Sequence, residues 1–109
     1  MNTDLSLNEF GFRQKDMDFM IHLFREHPEI EKVIIYGSRG RGDFEHGSDV
    51  DIALEGKEIT SETVSCIHTK LEEESPTYLW FDVLHYDSLK NQGLKEQIEK
   101  YGKLFFIKE

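Results

Sequence analysis

The sequence predicts an α+β domain with one small mixed β-sheet and helices packed against it. Segments of helical and strand periodicity interleave along the chain, in the order helix, strand, strand, helix, strand, helix, strand. A short loop separates the first two strands, which favours antiparallel pairing between them. The 109 residues contain no internal repeat and no linker-like stretch, so we expect a single domain spanning residues 1–109.

The first helix and the first strand are predicted before residue 37. Phe12 to His27 is expected to be helical, because apolar side chains recur there at helical spacing. These side chains are Met17, Met20, Ile21 and Phe24. Pro28 ends the helix, and Glu29 to Tyr36 follows as a strand with a β-branched centre.

A loop and the second strand come next. Gly37 to Ser48 is rich in glycine and charge, which is typical of a loop, and its first residues can form a helical turn. Asp49 to Glu55 begins with alternating acidic and apolar residues, which indicates a strand.

The remaining elements are a helix, a strand, a helix and a strand. Thr60 or Ser61 can cap the first of these helices, which runs to about Glu74. Gly102 is expected to end the last helix as a left-handed cap. The other predicted bounds are Tyr78–Tyr86 for the strand, Leu89–Tyr101 for the helix and Leu104–Ile107 for the last strand.

Composition and charge exclude several classes of function. The chain has 13 Lys and Arg against 22 Asp and Glu, a formal net charge of −9, so nucleic acid is a poor first guess for a partner. No apolar run is long enough for a membrane span. Met1 to Glu9 lacks the features of a signal peptide, and the single cysteine, Cys66, cannot form an internal disulfide. We therefore expect a cytoplasmic protein.

Three aspartates form a candidate metal site. Asp49 and Asp51 lie two apart on a predicted strand, so their side chains point to the same face. Asp82 lies in the middle of an apolar, aromatic strand, where an acid is costly unless something pairs with it. If that strand neighbours the Asp49–Asp51 strand, three carboxylates converge. Such a set can hold two Mg²⁺ ions about 3.5–4 Å apart, as phosphoryl chemistry requires.

The loop before these aspartates is suited to phosphate binding. Gly37 ends a buried strand and allows the backbone to approach an anion closely, and Ser38 adds a hydroxyl donor. Arg39 and Arg41 can neutralise triphosphate charge. A phosphate-binding loop one strand away from a metal site indicates chemistry on a nucleoside triphosphate.

At these residues the chain resembles the polymerase-β-like nucleotidyltransferase superfamily. Gly37-Ser38, ten further residues and then Asp49-Val50-Asp51 match its GS-x10-DxD signature, and the likeness covers about residues 33–107. The resemblance implies that Gly37 and Ser38 hold the triphosphate of ATP and that Asp49 and Asp51 bind two Mg²⁺ ions. It also implies that Asp82 binds the catalytic metal and helps to activate an acceptor hydroxyl. Arg39 and Arg41 fall in the variable part of the signature.

The short chain and the later Asp82 resemble most closely the minimal (MNT) branch of this superfamily. Members of that branch pair with an all-helical HEPN protein, usually an RNase toxin, and act as its antitoxin. The resemblance therefore implies transfer of AMP from ATP to a hydroxyl, with a tyrosine of the HEPN partner as the expected acceptor. The 109 residues leave no room for the second domain with which larger members grip the acceptor.

Other interpretations remain open. The chain can be a binding module that neutralises a HEPN toxin by occlusion alone, or a small-molecule transferase similar to aminoglycoside nucleotidyltransferases. Gly37 to Asp51 can also be an ordinary tight turn before an exposed strand, and Asp82 a solvent-facing strand residue. Arg39 and Arg41 can lie in a solvated loop. The aromatic residues near Trp80 can fill the sheet or form a partner interface.

Overall fold

The fold interleaves helices and strands as the sequence predicts. A computed structural model describes residues 8–77 and 79–108 of the chain. Residues 1–7 and Tyr78, which belong to segments considered above, lie outside the described residues. The elements are α1 (Gln14–Arg25), β1 (Lys32–Tyr36), α2 (Gly37–Arg41), β2 (Val50–Glu55), α3 (Ser61–Glu74), β3 (Phe81–His85), α4 (Gln92–Tyr101) and β4 (Lys103–Ile107).

The strands form one mixed sheet in the order β3-β2-β1-β4. β1 pairs antiparallel with β2 and with β4, whereas β2 and β3 are parallel. The parallel pair requires a crossover, which α3 supplies. The predicted mixed sheet and the antiparallel pairing of the first two strands are confirmed.

The two faces of the sheet are covered unequally. Helices α1 and α3 pack on one face and form the main core with alternate residues of the strands. Its fully buried side chains include Phe24, Ile35, Ile52, Leu54 and Ile67. On the other face, Ile98 of α4 packs with Tyr36 and Ala53 in a smaller cluster. Alternation along β2 places Asp51 on this second face, beside Ala53.

Local sequence signals fix several element boundaries. The Thr60 side chain accepts a hydrogen bond from Thr63 N–H, so Thr60 is the N-cap of α3 as expected. Asn91 caps α4 in the same way through Leu94 N–H, and α4 therefore begins later than the predicted Leu89. Helix α1 already ends at Arg25, before Pro28 can interrupt it.

Two predictions for the second half are corrected. The described part of the predicted strand Tyr78–Tyr86 is shorter, because Tyr86 begins a 3-10 turn after β3. The left-handed cap at Gly102 is wrong, since its φ of −67° and ψ of 149° are those of extended backbone. A Cβ at Gly102 would overlap Ile98 O and the Ile34 side chain, so the glycine is needed for space rather than for its φ. No helix within the described residues is long and apolar enough to cross a bilayer.

Candidate active site

The register of β2 and β3 brings two of the predicted carboxylates together. Asp51 pairs directly with Asp82 across the parallel strands. Asp51 is half-buried and Asp82 is exposed, so the pair opens to solvent on the Asp82 side. Asp49 is exposed and lies one residue before β2. The neighbouring strands that the sequence analysis required for three nearby carboxylates are therefore present.

Both burial and neighbouring charges act on Asp51. Burial raises the pKa of Asp51, and the charges of Asp82 and Asp49 raise it further, while Arg41 acts in the opposite direction. Like charges in a partly buried position favour either a proton or a bound cation. A cation bound at Asp51 would relieve this repulsion.

Gly37 fits closely against Asp51. Its φ of +68° lies in the left-handed region, where residues with a side chain are disfavoured. A Cβ at this position would also overlap the Oδ2 atom of Asp51. A glycine at position 37 is thus required both by its backbone conformation and by contact with a carboxylate on the neighbouring strand.

The helix α2 starts directly at this glycine. Ser38 is half-exposed in its first turn, where backbone N–H groups have no partner within a helix. Gly42 ends the helix in a left-handed conformation, and its N–H donates to Ser38 O at 2.9 Å. The predicted loop from Gly37 to Ser48 therefore opens with a short helix whose first turn faces the carboxylates.

Arg39 is buried, and main-chain carbonyl oxygens accept the hydrogen bonds of its guanidinium. Its side chain is 3% exposed, and Nη1 donates to Phe10 O at 2.7 Å. Nε and Nη2 both donate to Ser48 O, at 3.1 and 2.8 Å. The guanidinium also lies 4.6 Å from the centre of the Phe44 ring. This placement disfavours the expected phosphate contact, because the N–H groups of the guanidinium already donate to two main-chain carbonyl oxygens.

Arg41 lies on the surface at the end of α2. Its Nε lies 3.2 Å from Asp43 Oδ2. Its charge also lowers the pKa of Asp51, so it lies within electrostatic reach of the carboxylates. Of the two predicted arginines, Arg41 alone has its guanidinium near both solvent and the carboxylates.

Tyr36 is a site residue that the sequence analysis missed. It is the cross-strand partner of Asp51 and is 8% exposed. Burial raises its pKa most, and the charges of Asp51 and Asp82 add to the effect. Tyr36 is therefore a direct neighbour of Asp51 and lies within electrostatic reach of Asp82. The sequence signal that could have identified Tyr36 is its position at the end of β1, directly before Gly37.

The carboxylates suit a divalent cation by their chemistry. Oxygen ligands are those that Mg²⁺ prefers, and the repulsion at Asp51 favours a cation. Among residues 8–77 and 79–108, no three His, Cys, Asp or Glu side chains are gathered closely enough to hold a metal ion. The register of β2 and β3 therefore brings Asp51 and Asp82 together as neighbours, and Asp49 directly precedes β2.

Comparison with known proteins gives a consistent result. The family model described as "Polymerase beta, Nucleotidyltransferase" matches residues 16–109. No curated protein matches the chain. Among solved structures, a toxin-antitoxin with AMP-PNP matches with a TM-score of 0.70 and 21% identity, over 86% of this chain and 75% of that one. The toxin-antitoxin MntA-HepT matches with a TM-score of 0.66 and 19% identity, over 88% and 74%. At these identities the structural likeness shows the fold.

Proposed function

Because this chain belongs to the polymerase β nucleotidyltransferase family, we propose that it transfers a nucleoside monophosphate from a nucleoside triphosphate to a hydroxyl acceptor. The observation that carries the proposal is the direct pairing of Asp51 with Asp82, with Gly37 packed against the same Asp51 carboxylate. A phosphate-binding turn and paired carboxylates at one end of a sheet are the two parts that this chemistry needs.

The triphosphate binds at the start of α2. Gly37 and Ser38 provide backbone N–H groups and a hydroxyl to its oxygens, and Arg41 neutralises charge from the end of the same helix. Arg39 contributes indirectly, because its bonds to Ser48 O hold the chain that leads into Asp49. We therefore replace the expected phosphate contact of Arg39 by a supporting role.

Asp49, Asp51 and Asp82 would hold two Mg²⁺ ions. Bound there, the ions would supply the charge neutralisation that phosphoryl transfer requires. Asp82 is the exposed member of the pair and can be reached by an acceptor, and in this proposal its carboxylate accepts the proton of the acceptor hydroxyl, as the family resemblance implies. The acceptor oxygen then bonds to the α-phosphorus, the bond from that phosphorus to the bridging oxygen breaks, and pyrophosphate leaves. Catalysis comes mainly from positioning and charge stabilisation.

ATP is the proposed donor and a helical HEPN toxin the proposed acceptor, modified on a tyrosine. The support is the fold shared with a toxin-antitoxin with AMP-PNP, an ATP analogue, and with the toxin-antitoxin MntA-HepT. In this proposal the chain acts as an antitoxin.

A binding role without catalysis is the second candidate. It is favoured by exposed apolar side chains on the edge strand β4, where Leu104 is 52% and Ile107 is 51% exposed. Such residues are suited to a protein interface. In that case neutralisation of the toxin requires the complex alone and is independent of the aspartates.

Transfer of label from α-³²P-ATP tests the proposal. The chain is incubated with Mg²⁺, labelled ATP and its co-encoded helical neighbour, beside the variants Asp49→Asn and Asp51→Asn. Glu45→Gln, which removes an exposed carboxylate from the same loop, serves as the matched control. We expect label on the neighbour with the wild type and the control and none with either aspartate variant. A stable complex that is never labelled, or transfer that survives Asp51→Asn, contradicts the proposed enzyme.

A further inference from the structure

The order of the strands defines the side from which the acceptor approaches. Gly37 and Ser38 follow β1, Asp82 lies on β3, and β2 lies between them. Since neighbouring strands are about 4.8 Å apart, the phosphate-binding turn and Asp82 are separated by about 10 Å. In-line transfer places the attacking and leaving oxygens on opposite sides of the phosphorus. A triphosphate whose leaving end rests on α2 therefore takes its acceptor from the β3 side.

An exposed indole lies on that side. Trp80 is 69% exposed, the largest exposed fraction among the large apolar side chains of the described residues. Val50 N–H donates to Trp80 O at 2.9 Å and so extends the pairing of β2 and β3 by one residue. Because side chains alternate along a strand, Trp80 shares the face of Asp82, two residues further on. An apolar ring held beside a catalytic carboxylate is suited to contact with a partner.

A groove reaches Asp82 from the outer side of β3. It lies between β3 and α3, has a volume of about 470 Å³ and includes Asp82 in its wall. Val64 and Val83 give it apolar surface, and Ser61, Ser65 and Ser88 line it with hydroxyls. Apolar surface with a few polar groups is the usual anatomy of a ligand site. The hydroxyls of these serines can donate and accept hydrogen bonds with a polypeptide backbone, and Asp82 is the carboxylate in the wall of the groove.

The backbone edge of β3 is already occupied where the groove begins. Phe81 N–H donates to Glu72 Oε2 at 2.9 Å, and His68 Nε2 donates to Phe81 O at 3.1 Å. Both side chains come from α3 and satisfy the edge groups that an added strand would use. A bound segment at this point therefore contacts side chains instead of extending the sheet.

We propose that Trp80 and the groove between α3 and β3 form the acceptor side of the active site. They receive a protein segment that presents a hydroxyl-bearing residue to Asp82, and an aromatic ring such as that of tyrosine packs on the Trp80 indole. This inference rests on the proposed transfer reaction. The inference adds to that reaction the surface that selects a protein acceptor. This surface lies on the opposite side of β2 from the phosphate-binding turn.

Fluorine NMR provides a direct test, because Trp80 is the only tryptophan in the sequence. The chain labelled with 5-fluorotryptophan gives one ¹⁹F resonance, which is followed on addition of AMP-PNP with Mg²⁺ and then of the co-encoded helical neighbour. We expect the neighbour to shift the resonance and the nucleotide alone to leave it in place. A shift caused by the nucleotide that equals or exceeds that caused by the neighbour overturns the inference, because the indole then serves the nucleotide. Absence of any shift overturns it as well.

Substitutions test both parts of the surface. Trp80→Ala removes the indole and Ser65→Tyr fills the groove, whereas Thr69→Tyr places the same ring on the exposed side of α3 outside the groove. The Kd of the neighbour, and its KM as acceptor, should rise about tenfold in the first two variants, as loss of a central interface contact predicts. The control Thr69→Tyr should bind the neighbour as the wild type does, and Trp80→Phe should recover much of the affinity that Trp80→Ala loses. The Kd of AMP-PNP should be the same in all variants.

The possible results separate the two proposals. If either Trp80→Ala or Ser65→Tyr leaves the neighbour's Kd within about twofold of the wild type, the acceptor surface is assigned wrongly. If the wild type binds the neighbour but transfers no label to it, the proposed reaction fails, while the Kd values and the fluorine resonance still decide where the neighbour binds.

Discussion

The guanidinium of Arg39 donates two hydrogen bonds to the main-chain oxygen of Ser48, from Nε at 3.1 Å and from Nη2 at 2.8 Å. Because Ser48 directly precedes Asp49, this contact ties the short helix α2 to the chain that enters β2. A third bond, from Nη1 to Phe10 O, extends the same tie to the segment before α1.

Arg39→Lys should weaken the fold and the reaction together. A lysine cannot reproduce the two guanidinium bonds that converge on Ser48 O together with the bond to Phe10 O, so a main-chain oxygen would lose its donor. We expect the free energy of unfolding to fall by about 2–3 kcal/mol. Urea titration measures the change, with Arg25→Lys at the exposed end of α1 as the control. If Arg39→Lys had wild-type stability and lost only nucleotide affinity, Arg39 would be a phosphate ligand after all.

Gly37→Ala should abolish nucleotide binding. Comparison with Gly42→Ala shows whether backbone strain or the contact with Asp51 is the cause. Both glycines have positive φ, +68° and +90°, so both alanines carry a similar backbone strain of about 1–2 kcal/mol. At Gly37 the new methyl group also overlaps the Asp51 carboxylate, whereas nothing lies within 4 Å of a Cβ at Gly42. Calorimetry with AMP-PNP should show binding to Gly42→Ala only. Equal loss in both variants would mean that strain, rather than the contact with Asp51, controls the site.

Asp51→Asn should stabilise the protein in the absence of divalent cations. The substitution removes a partly buried charge that Asp82 and Asp49 repel. We expect Tm in EDTA to rise by a few degrees, and Mg²⁺ to raise the Tm of the wild type but not of the variant. Differential scanning calorimetry measures both. A wild type whose Tm does not respond to Mg²⁺ would argue against a metal site at these aspartates.

Thr63→Val should remove a pH-dependent contribution to stability. Thr63 Oγ1 donates to Glu29 Oε2 at 2.8 Å. The pKa of Glu29 is lowered chiefly by a hydrogen bond from its own backbone and next by Thr63. A carboxyl whose pKa is lower in the folded state stabilises the protein above its unfolded pKa and ceases to do so as the pH falls through its folded pKa.

Thr63→Val should therefore lower the free energy of unfolding by about 1 kcal/mol at pH 7 and by less at pH 3. Urea titrations at the two pH values measure it, with Thr69→Val on the exposed side of α3 as the control. A loss of equal size at both pH values would show that the ionised Glu29 is not the relevant partner.

Much of this architecture could be predicted because its signals are local. Alternation around Asp51 defines a strand, the spacing from Ser38 to Asp49 defines the turn, and Thr60 marks the start of α3. Asp82 could be placed only on condition that its strand lies beside β2, and the sheet order meets that condition.

What could not be predicted depends on contacts distant in sequence. The direction of Arg39 follows from Phe10, Phe44 and Ser48, which surround it only after the chain has folded. The same holds for Gly102, which is needed for space beside Ile34, while its place after a helix favoured a left-handed cap.

The parallel pairing of β2 with β3 also affects the order in which the residues of the candidate active site come together. The antiparallel pair β1–β2 joins segments close in sequence and brings Gly37 to Asp51, but Asp82 arrives only when α3 has carried the chain back to the sheet edge. Contacts between distant segments form late in folding and are often lost first at an edge. Activity should therefore disappear at a lower denaturant concentration than helical circular dichroism, so that the reaction reports the local opening of β3.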